Sequence, residues 1–300
     1  MTSITSTEGR EHVIYGDTDS VYVTLAKMAE REGIALDKES AVEIADLLGD
    51  AITKMVPDRV HKLFHSSKEP LSILVAGREV VSTRSMFLPE KKKRYAVYYF
   101  KDGDKDVAKI KAMGIEVKRS DTPKFIQDRL KHMIEMLLRD GASVQDLNQE
   151  YLRVYDELMS MDAWRLGTPC QVRNIQKSVM SQHEIEETGD LVRQTTDIFH
   201  IIKAALATNE MIDVNNDHAT PKIIDGDKIE VLELLEYPHK VARKVDWPYI
   251  PEWFKTLPYD RASMIHKIWT RKVNNIFSGV LNFTFQPPET QLAGEDDGDW

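Results

Sequence analysis

The stretch Val13-Ile14-Tyr15-Gly16-Asp17-Thr18-Asp19-Ser20-Val21-Tyr22-Val23 constrains this chain more than any other. Two runs of β-branched and aromatic residues flank a Gly-Asp-Thr-Asp centre, and such runs around turn-forming residues predict a β-hairpin. Gly16-Asp17 supplies the turn chemistry, so Asp17 and Asp19 stand two apart at the tip. Two carboxylates on a rigid tip suit a hard divalent cation. Mg²⁺ takes oxygen ligands, keeps several waters, and is held by one or two carboxylates together with substrate phosphates. Two such ions about 3.5–4 Å apart can clamp an in-line phosphoryl displacement.

Composition sets the outer bounds. The 300 residues are 42% apolar and 30% charged, enough for one large domain or two of ordinary size around a sizeable core. No apolar run approaches the roughly 18–20 residues of a membrane span, so no membrane partner is expected. The first residues lack the basic and apolar regions of a signal peptide. Cys170 is the one cysteine, which excludes an internal disulfide and a cysteine-based zinc site and points to the cytoplasm. The net charge of −9 argues against general nucleic-acid binding but leaves room for local basic tracks. Acid is concentrated at the end, in Glu295-Asp296-Asp297-Gly298-Asp299-Trp300, so residues 286–300 read as an acidic, flexible tail.

The pattern beyond the hairpin is mixed. Ser40 caps a helix whose apolar stripe runs through Val42, Ile44, Ala45, Leu47, Leu48, Ile52, Met55, Val60 and Leu63, with Pro57 kinking it. Leu71–Ala76 reads as a buried strand. Arg94–Phe100 reads as a second strand, ending at a turn over residues 101–104. Near Lys118 the character changes. Asp121 or Thr122 caps a helix with Pro123 at its first position and Gly141 beyond its end. Ser143 and Asp146 form a capping box for the next helix, with Leu147, Tyr151, Val154, Tyr155 and Leu158 on its apolar face. Lys222–Leu234 holds two short strand-like runs around a turn, and helix returns over 259–277. The class is α+β: an antiparallel sheet with a long helix over 1–110, then a mainly helical domain over 111–285.

Two further stretches carry charge. Lys91-Lys92-Lys93-Arg94-Tyr95 sets four cations before an apolar strand, where they need counter-charges from solvent, nearby acids or a phosphate backbone. Strand alternation puts Lys93, Tyr95 and Val97 on one face and Arg94, Ala96 and Tyr98 on the other, so not all four cations can face one partner. Met113-Gly-Ile-Glu-Val-Lys-Arg-Ser-Asp-Thr-Pro123 reads as a linker that caps the following helix, with Lys111, Lys118 and Arg119 adding charge.

These strings, in this order, resemble the family B DNA polymerases, and among them the replicative enzymes of T-even-type tailed phages. The hairpin resembles motif C of the palm. The resemblance implies that Asp19 is a catalytic metal ligand, with Asp17 either a weaker ligand or the residue that shapes the turn. Lys92, Lys93 and Tyr95 match the Lys-Lys-x-Tyr element that holds the primer strand. Gly114, Glu116 and Arg119 match a Gly-x-Glu-x-x-Arg pattern at the palm-to-thumb junction that grips duplex phosphates. Arg78-Glu79 resembles a pair whose acid approaches the metal site, which makes Glu79 a possible third acidic residue. Gly226-Asp-Lys-Ile-Glu-Val-Leu232 resembles a thumb segment.

The resemblance implies DNA-directed DNA polymerisation with two Mg²⁺ ions, a primer-template and deoxynucleoside triphosphates. It also exposes gaps. Nothing in the chain resembles the motif A strand with its catalytic Asp, the fingers helix, or the 3′→5′ exonuclease. The expectation is one subunit of a split polymerase, completed by an N-terminal polymerase polypeptide across an interface larger than about 2,000 Å². The metal site would be shared between the two chains. A non-catalytic DNA-binding or replisome-interaction remnant is the alternative, and the acidic tail suggests a sliding clamp as a further partner.

Overall fold

The structure, a computed structural model, describes residues 12–65, 67, 73–89, 92–176 and 200–288. The chain divides into two units, Met1–Met86 with Tyr95–Lys111, and Phe87–Arg94 with Ala112–Trp300. Among the described residues, no helix is long and apolar enough to cross a membrane. The α+β class is the one observed: antiparallel sheets combined with helices. Lys91 and residues 289–300 of the acidic tail lie outside the described residues.

The first unit opens with the hairpin, β1 (Val13–Asp17) against β2 (Ser20–Val23). Tyr15 pairs with Tyr22, Gly16 with Val21 and Asp17 with Ser20. The connection is therefore Thr18-Asp19, and Thr18 takes the left-handed backbone at φ 55°. Gly16 lies inside β1, not in the turn as the sequence suggested. Helix α1 (Ala26–Arg31) follows, then the long helix α2 (Lys38–Phe64). The cap of α2 is Asp37, and Ser40 is its partner three residues on: each side chain bonds the other's backbone N–H. The helix continues through Pro57. Its apolar stripe is far less covered than the spacing implied. Ala41 is its one buried residue, and Leu47, Leu63 and Phe64 are exposed.

Strands β3 (Val80–Phe87), β4 (Tyr95–Asp102) and β5 (Lys105–Met113) form a sheet in that order. The tight β4–β5 connection makes that pair antiparallel. Leu71 and Ser72 of the predicted strand Leu71–Ala76 lie outside the described residues; over residues 73–76 no strand forms, and Ile73 and Val75 are exposed. The reason is a side chain that takes over the backbone. Thr53 Oγ1 of α2 accepts from the Ala76 N–H at 2.9 Å and approaches the Ala76 carbonyl at 3.3 Å. A Cβ at Gly49 would sit 2.9 Å from that same carbonyl oxygen, so glycine permits the approach. Arg78 then fastens the helix to the sheet. Its guanidinium, 8% exposed, bonds Asp46 of α2 at 2.7 Å, the Gly103 carbonyl, and Asp104 at 3.2 Å.

The second unit is built mainly from helices. Helix α3 (Lys124–Glu135) runs into a π turn (Met136–Asp140) that ends at left-handed Gly141. Pro123 is its cap residue; neither Asp121 nor Thr122 caps it with a side chain. Ser143 and Asp146 make the expected capping box for α4 (Val144–Ser160), and all five anticipated apolar residues are buried. Helices α5 (His200–Val214), α6 (Glu252–Lys255), α7 (Arg261–Ile265) and α8 (Arg271–Leu281) complete the set, with a π turn (His266–Thr270) joining α7 to α8. Tyr151 anchors α4 to that turn. Its ring stacks on Trp269 at 6.0 Å, its hydroxyl shares a 2.8 Å hydrogen bond with Thr270, and its carbonyl accepts from the Trp269 indole at 3.1 Å. A second core lies under the sheet β6 (Thr168–Gln171), β7 (Lys228–Glu233) and β8 (Lys240–Lys244), where Ile229, Val231 and Ala242 meet Ala204 and Ala205 of α5. Of the two runs expected over 222–234, only β7 is a strand. Asn209 bonds both backbone groups of Ile223, which removes them from any ladder.

These burials order the costs of truncation. Leu147→Ala, at a site with no exposure, should cost about 2–5 kcal/mol. Leu47→Ala, on the 63% exposed stripe of α2, should stay within about 0.5 kcal/mol. Urea unfolding of the two variants measures the contrast.

Candidate active site and nucleic-acid interface

The hairpin turn is held by its own side chains. Thr18 Oγ1 donates to Asp17 Oδ1 at 3.2 Å, and Ser20 Oγ donates to the Asp17 carbonyl at 3.2 Å. A β-branched residue rarely takes a left-handed backbone, so these local bonds offset a real steric cost. The result places Asp19 in the turn, exposed, and Asp17 at the end of β1, partly covered. Residues two apart on a strand share a face, so Asp17 lies on the face of Tyr15, and the register puts Tyr22 and Ser20 opposite them.

That face rests on β4. Tyr15, Tyr22 and Tyr95 form a three-ring cluster with centroids 5.3–6.2 Å apart, and the Tyr22 hydroxyl donates to the Tyr95 hydroxyl at 3.4 Å. Such tilted and edge-on pairs add about 0.5–1.5 kcal/mol each beyond area burial. Burial, then the Tyr95 hydrogen bond, pushes the Tyr22 phenol well above its ordinary value, with a further push from Glu79. Glu79 pairs with Lys111 at 2.8 Å, and that bond raises the lysine. The first unit thus brings Glu79 and Lys111 to the Tyr22–Tyr95 pair that backs the hairpin. The tyrosine partners of Tyr95 carried no signal in the sequence, because the ring contacts join positions more than seventy residues apart.

The second unit holds the other basic residues. Lys92 and Lys93 are exposed in a turn, with Lys93 left-handed at φ 61°. This corrects the sequence reading: β4 begins at Tyr95, so strand alternation does not reach Lys93, and Tyr95, Ala96 and Val97 are all buried. Arg94 is turned inward. Its Nη2 donates to both carboxylate oxygens of Glu116 at 2.7 Å, and its Nε donates to the Gly114 carbonyl at 3.0 Å. Lys118 is exposed at the end of the short helical turn Glu116–Lys118. Arg119, half exposed, is paired with Asp121 at 3.0 Å.

Asp121 also accepts from Lys272 of α8 at 3.1 Å. Burial pushes this carboxyl up, but the Arg119 and Lys272 hydrogen bonds outweigh it and hold the group at about 2. The Lys272 partnership spans 151 positions and left no trace in the sequence.

Among the described residues, no group of three or more His, Cys, Asp or Glu side chains is placed to hold a metal ion. Asp17 and Asp19 are hard oxygen donors close in sequence on an accessible tip, which fits one or two carboxylates' share of a magnesium site and not a complete protein cage.

Residues 72–211 match the family model of DNA polymerase family B. Over that stretch the chain is similar to the family B DNA polymerases. It is 29% identical over 174 residues to the DNA-directed DNA polymerase of Enterobacteria phage T4, covering 53% of this chain and 19% of that protein. It is 27% identical over 259 residues to the DNA-directed DNA polymerase of Escherichia phage RB69, covering 83% of this chain and 27% of that protein. The T-even resemblance read from the motifs is the one these matches display, and the chain spans a minor part of either relative's length. The matched stretch contains Glu79, Lys92, Lys93, Tyr95, Lys111, Lys118 and Arg119, whereas Asp17 and Asp19 precede it.

The Asp121 pairing has a pH signature. Its folded value of about 2 lies below the ordinary 3.8, so its contribution to stability is fully present above about 3.8 and is lost as pH falls through about 2. Asp121→Asn should therefore be less stable than wild type at neutral pH, with the gap closing towards pH 2. Urea midpoints across that range give the comparison.

Proposed function

We propose that this chain forms the motif C part of the palm and the thumb of a DNA-directed DNA polymerase that copies primer-template DNA in phage replication. Residues 1–110 serve as palm and 111–285 as thumb. The observation that carries the reading is the hairpin: two carboxylates at a self-braced turn, backed by a tyrosine cluster, in a chain whose 72–211 match family B.

Each residue has work consistent with its position. Asp19, accessible in the turn, and Asp17, oriented by Thr18, are the residues that would hold magnesium. The metal, when bound, neutralises charge on the deoxynucleoside triphosphate. The tyrosine cluster fixes the hairpin against β4, so the carboxylates keep their geometry when substrate arrives. Glu79 stands by as a further acid, held by Lys111. Lys92, Lys93, Lys118 and Arg119 meet duplex phosphates, contacts that set register without reading sequence, as template copying requires.

The remaining parts, a second catalytic carboxylate, the fingers and the exonuclease, come from polypeptide outside these 300 residues. We take that polypeptide to be a separate chain. An apolar hairpin with Val13, Ile14 and Val21 exposed on a two-stranded sheet supports completion by further polypeptide, since isolated two-strand sheets are marginal and open edges invite pairing. The acidic tail is assigned to a sliding clamp, and the setting to the cytoplasm of the infected cell.

Primer extension with Mg²⁺ and four deoxynucleoside triphosphates tests the proposal. The chain alone should be inactive. The chain co-expressed with the polypeptide that completes it should extend the primer, and Asp19→Ala in that pair should reduce extension to background while duplex binding persists. Extension by the Asp19→Ala pair, or none by the intact pair, defeats the polymerase reading; the latter with DNA binding retained leaves a binding remnant.

A further inference from the structure

Three observations meet at the basic turn of the second unit. The Arg94–Glu116 pair is buried, with side chains 16% and 3% exposed, and both carboxylate oxygens accept at 2.7 Å. Gly114 lies directly beneath the turn: at φ 60°, a Cβ there would stand 2.2 Å from the Lys93 carbonyl oxygen, a collision with backbone that cannot be relieved by a rotamer change. The turn is also fastened at its base, where the Leu88 N–H donates to the Arg94 carbonyl at 3.0 Å. Lys93 takes a left-handed backbone that a lysine adopts only when its surroundings impose it.

We propose that Glu116 is a positioning residue for duplex DNA: by clamping Arg94, with Gly114 as the seat, it fixes the Lys92-Lys93 turn in the conformation that presents both ammonium groups to a phosphate backbone. The inference rests on the reading of this chain as DNA-binding and changes the role of the Gly-x-Glu stretch. Glu116, almost wholly buried, offers no surface to a phosphate, and its charge would repel one. Its partner Arg94 is occupied by the clamp and by the Gly114 carbonyl and is half-buried, whereas Lys92 and Lys93 are exposed. A flexible pair of lysines loses side-chain and backbone freedom on binding; a turn already fixed does not.

The sign of one substitution separates this role from plain electrostatics. Glu116→Gln removes a negative charge, which by long-range attraction alone would strengthen DNA binding. Positioning calls for the reverse. Fluorescence anisotropy of a labelled primer-template duplex, with the full chain, should show affinity lowered about tenfold near 0.15 M salt, the worth of one to two phosphate contacts, and a salt slope shallower by about 1–2. The slope matters because partial unfolding lowers the active fraction without changing it. The double variant Arg94→Met, Glu116→Leu keeps net charge and avoids a lone buried ion, and should show the same loss. In a Lys92→Ala, Lys93→Ala background, Glu116→Gln should add nothing further. Trypsin cleavage after Lys92 and Lys93, followed by mass spectrometry, should quicken in both clamp variants.

An unchanged or steeper salt slope in the two clamp variants, with wild type binding duplex through Lys92 and Lys93, overturns the positioning role alone. Unchanged cleavage after the two lysines overturns the clamp itself. Failure of the wild-type chain to bind duplex at low salt defeats the DNA reading and this role with it.

Discussion

A buried guanidinium–carboxylate pair governs the centre of this chain. Arg94 precedes β4 and Glu116 follows β5 along the chain, and each satisfies the other's charge out of water. Such a pair adds little net stability against an apolar substitute, yet losing one member leaves a stranded charge. Its worth is geometric. The same arginine also bonds the Gly114 carbonyl, so one side chain ties the basic turn to the start of the helical region.

The same economy runs through the rest of an acidic molecule. Arg78 is satisfied by Asp46, Asp104 and a carbonyl, Lys111 by Glu79, and Arg119 and Lys272 by Asp121. Fixed pairs of this kind weaken each other's charge at long range. A net charge of −9 therefore says little about the surface a phosphate backbone would meet.

Legibility followed the range of the interactions. Helix α4 was readable in full, because its cap, Ser143 with Asp146, and its five-residue apolar face are local properties. The hairpin was readable as a hairpin, but its turn was misplaced by two residues, since Thr18 and not Gly16 takes the left-handed backbone. Leu71–Ala76 looked like a strand by composition; what overrode it was the Thr53 hydroxyl, twenty-three positions away, binding the Ala76 backbone. At the candidate site, Asp17, Asp19 and the lysines were visible as strings. The Tyr15–Tyr22–Tyr95 cluster and the Asp121–Lys272 pair were not, because no periodicity links residues that meet only in three dimensions.

Helix α2 has one more implication. Among the described residues its twenty-seven residues bury Ala41 alone, and Asp46 bonds Arg78 while Thr53 bonds Ala76. Helices in water owe most of their persistence to tertiary burial of an apolar face. With little of its side-chain surface buried, α2 should open locally more readily than α4, which is packed through Tyr151 and Trp269. Backbone amides in the two helices should therefore exchange with solvent on different timescales, although both share the same regular hydrogen-bonded geometry.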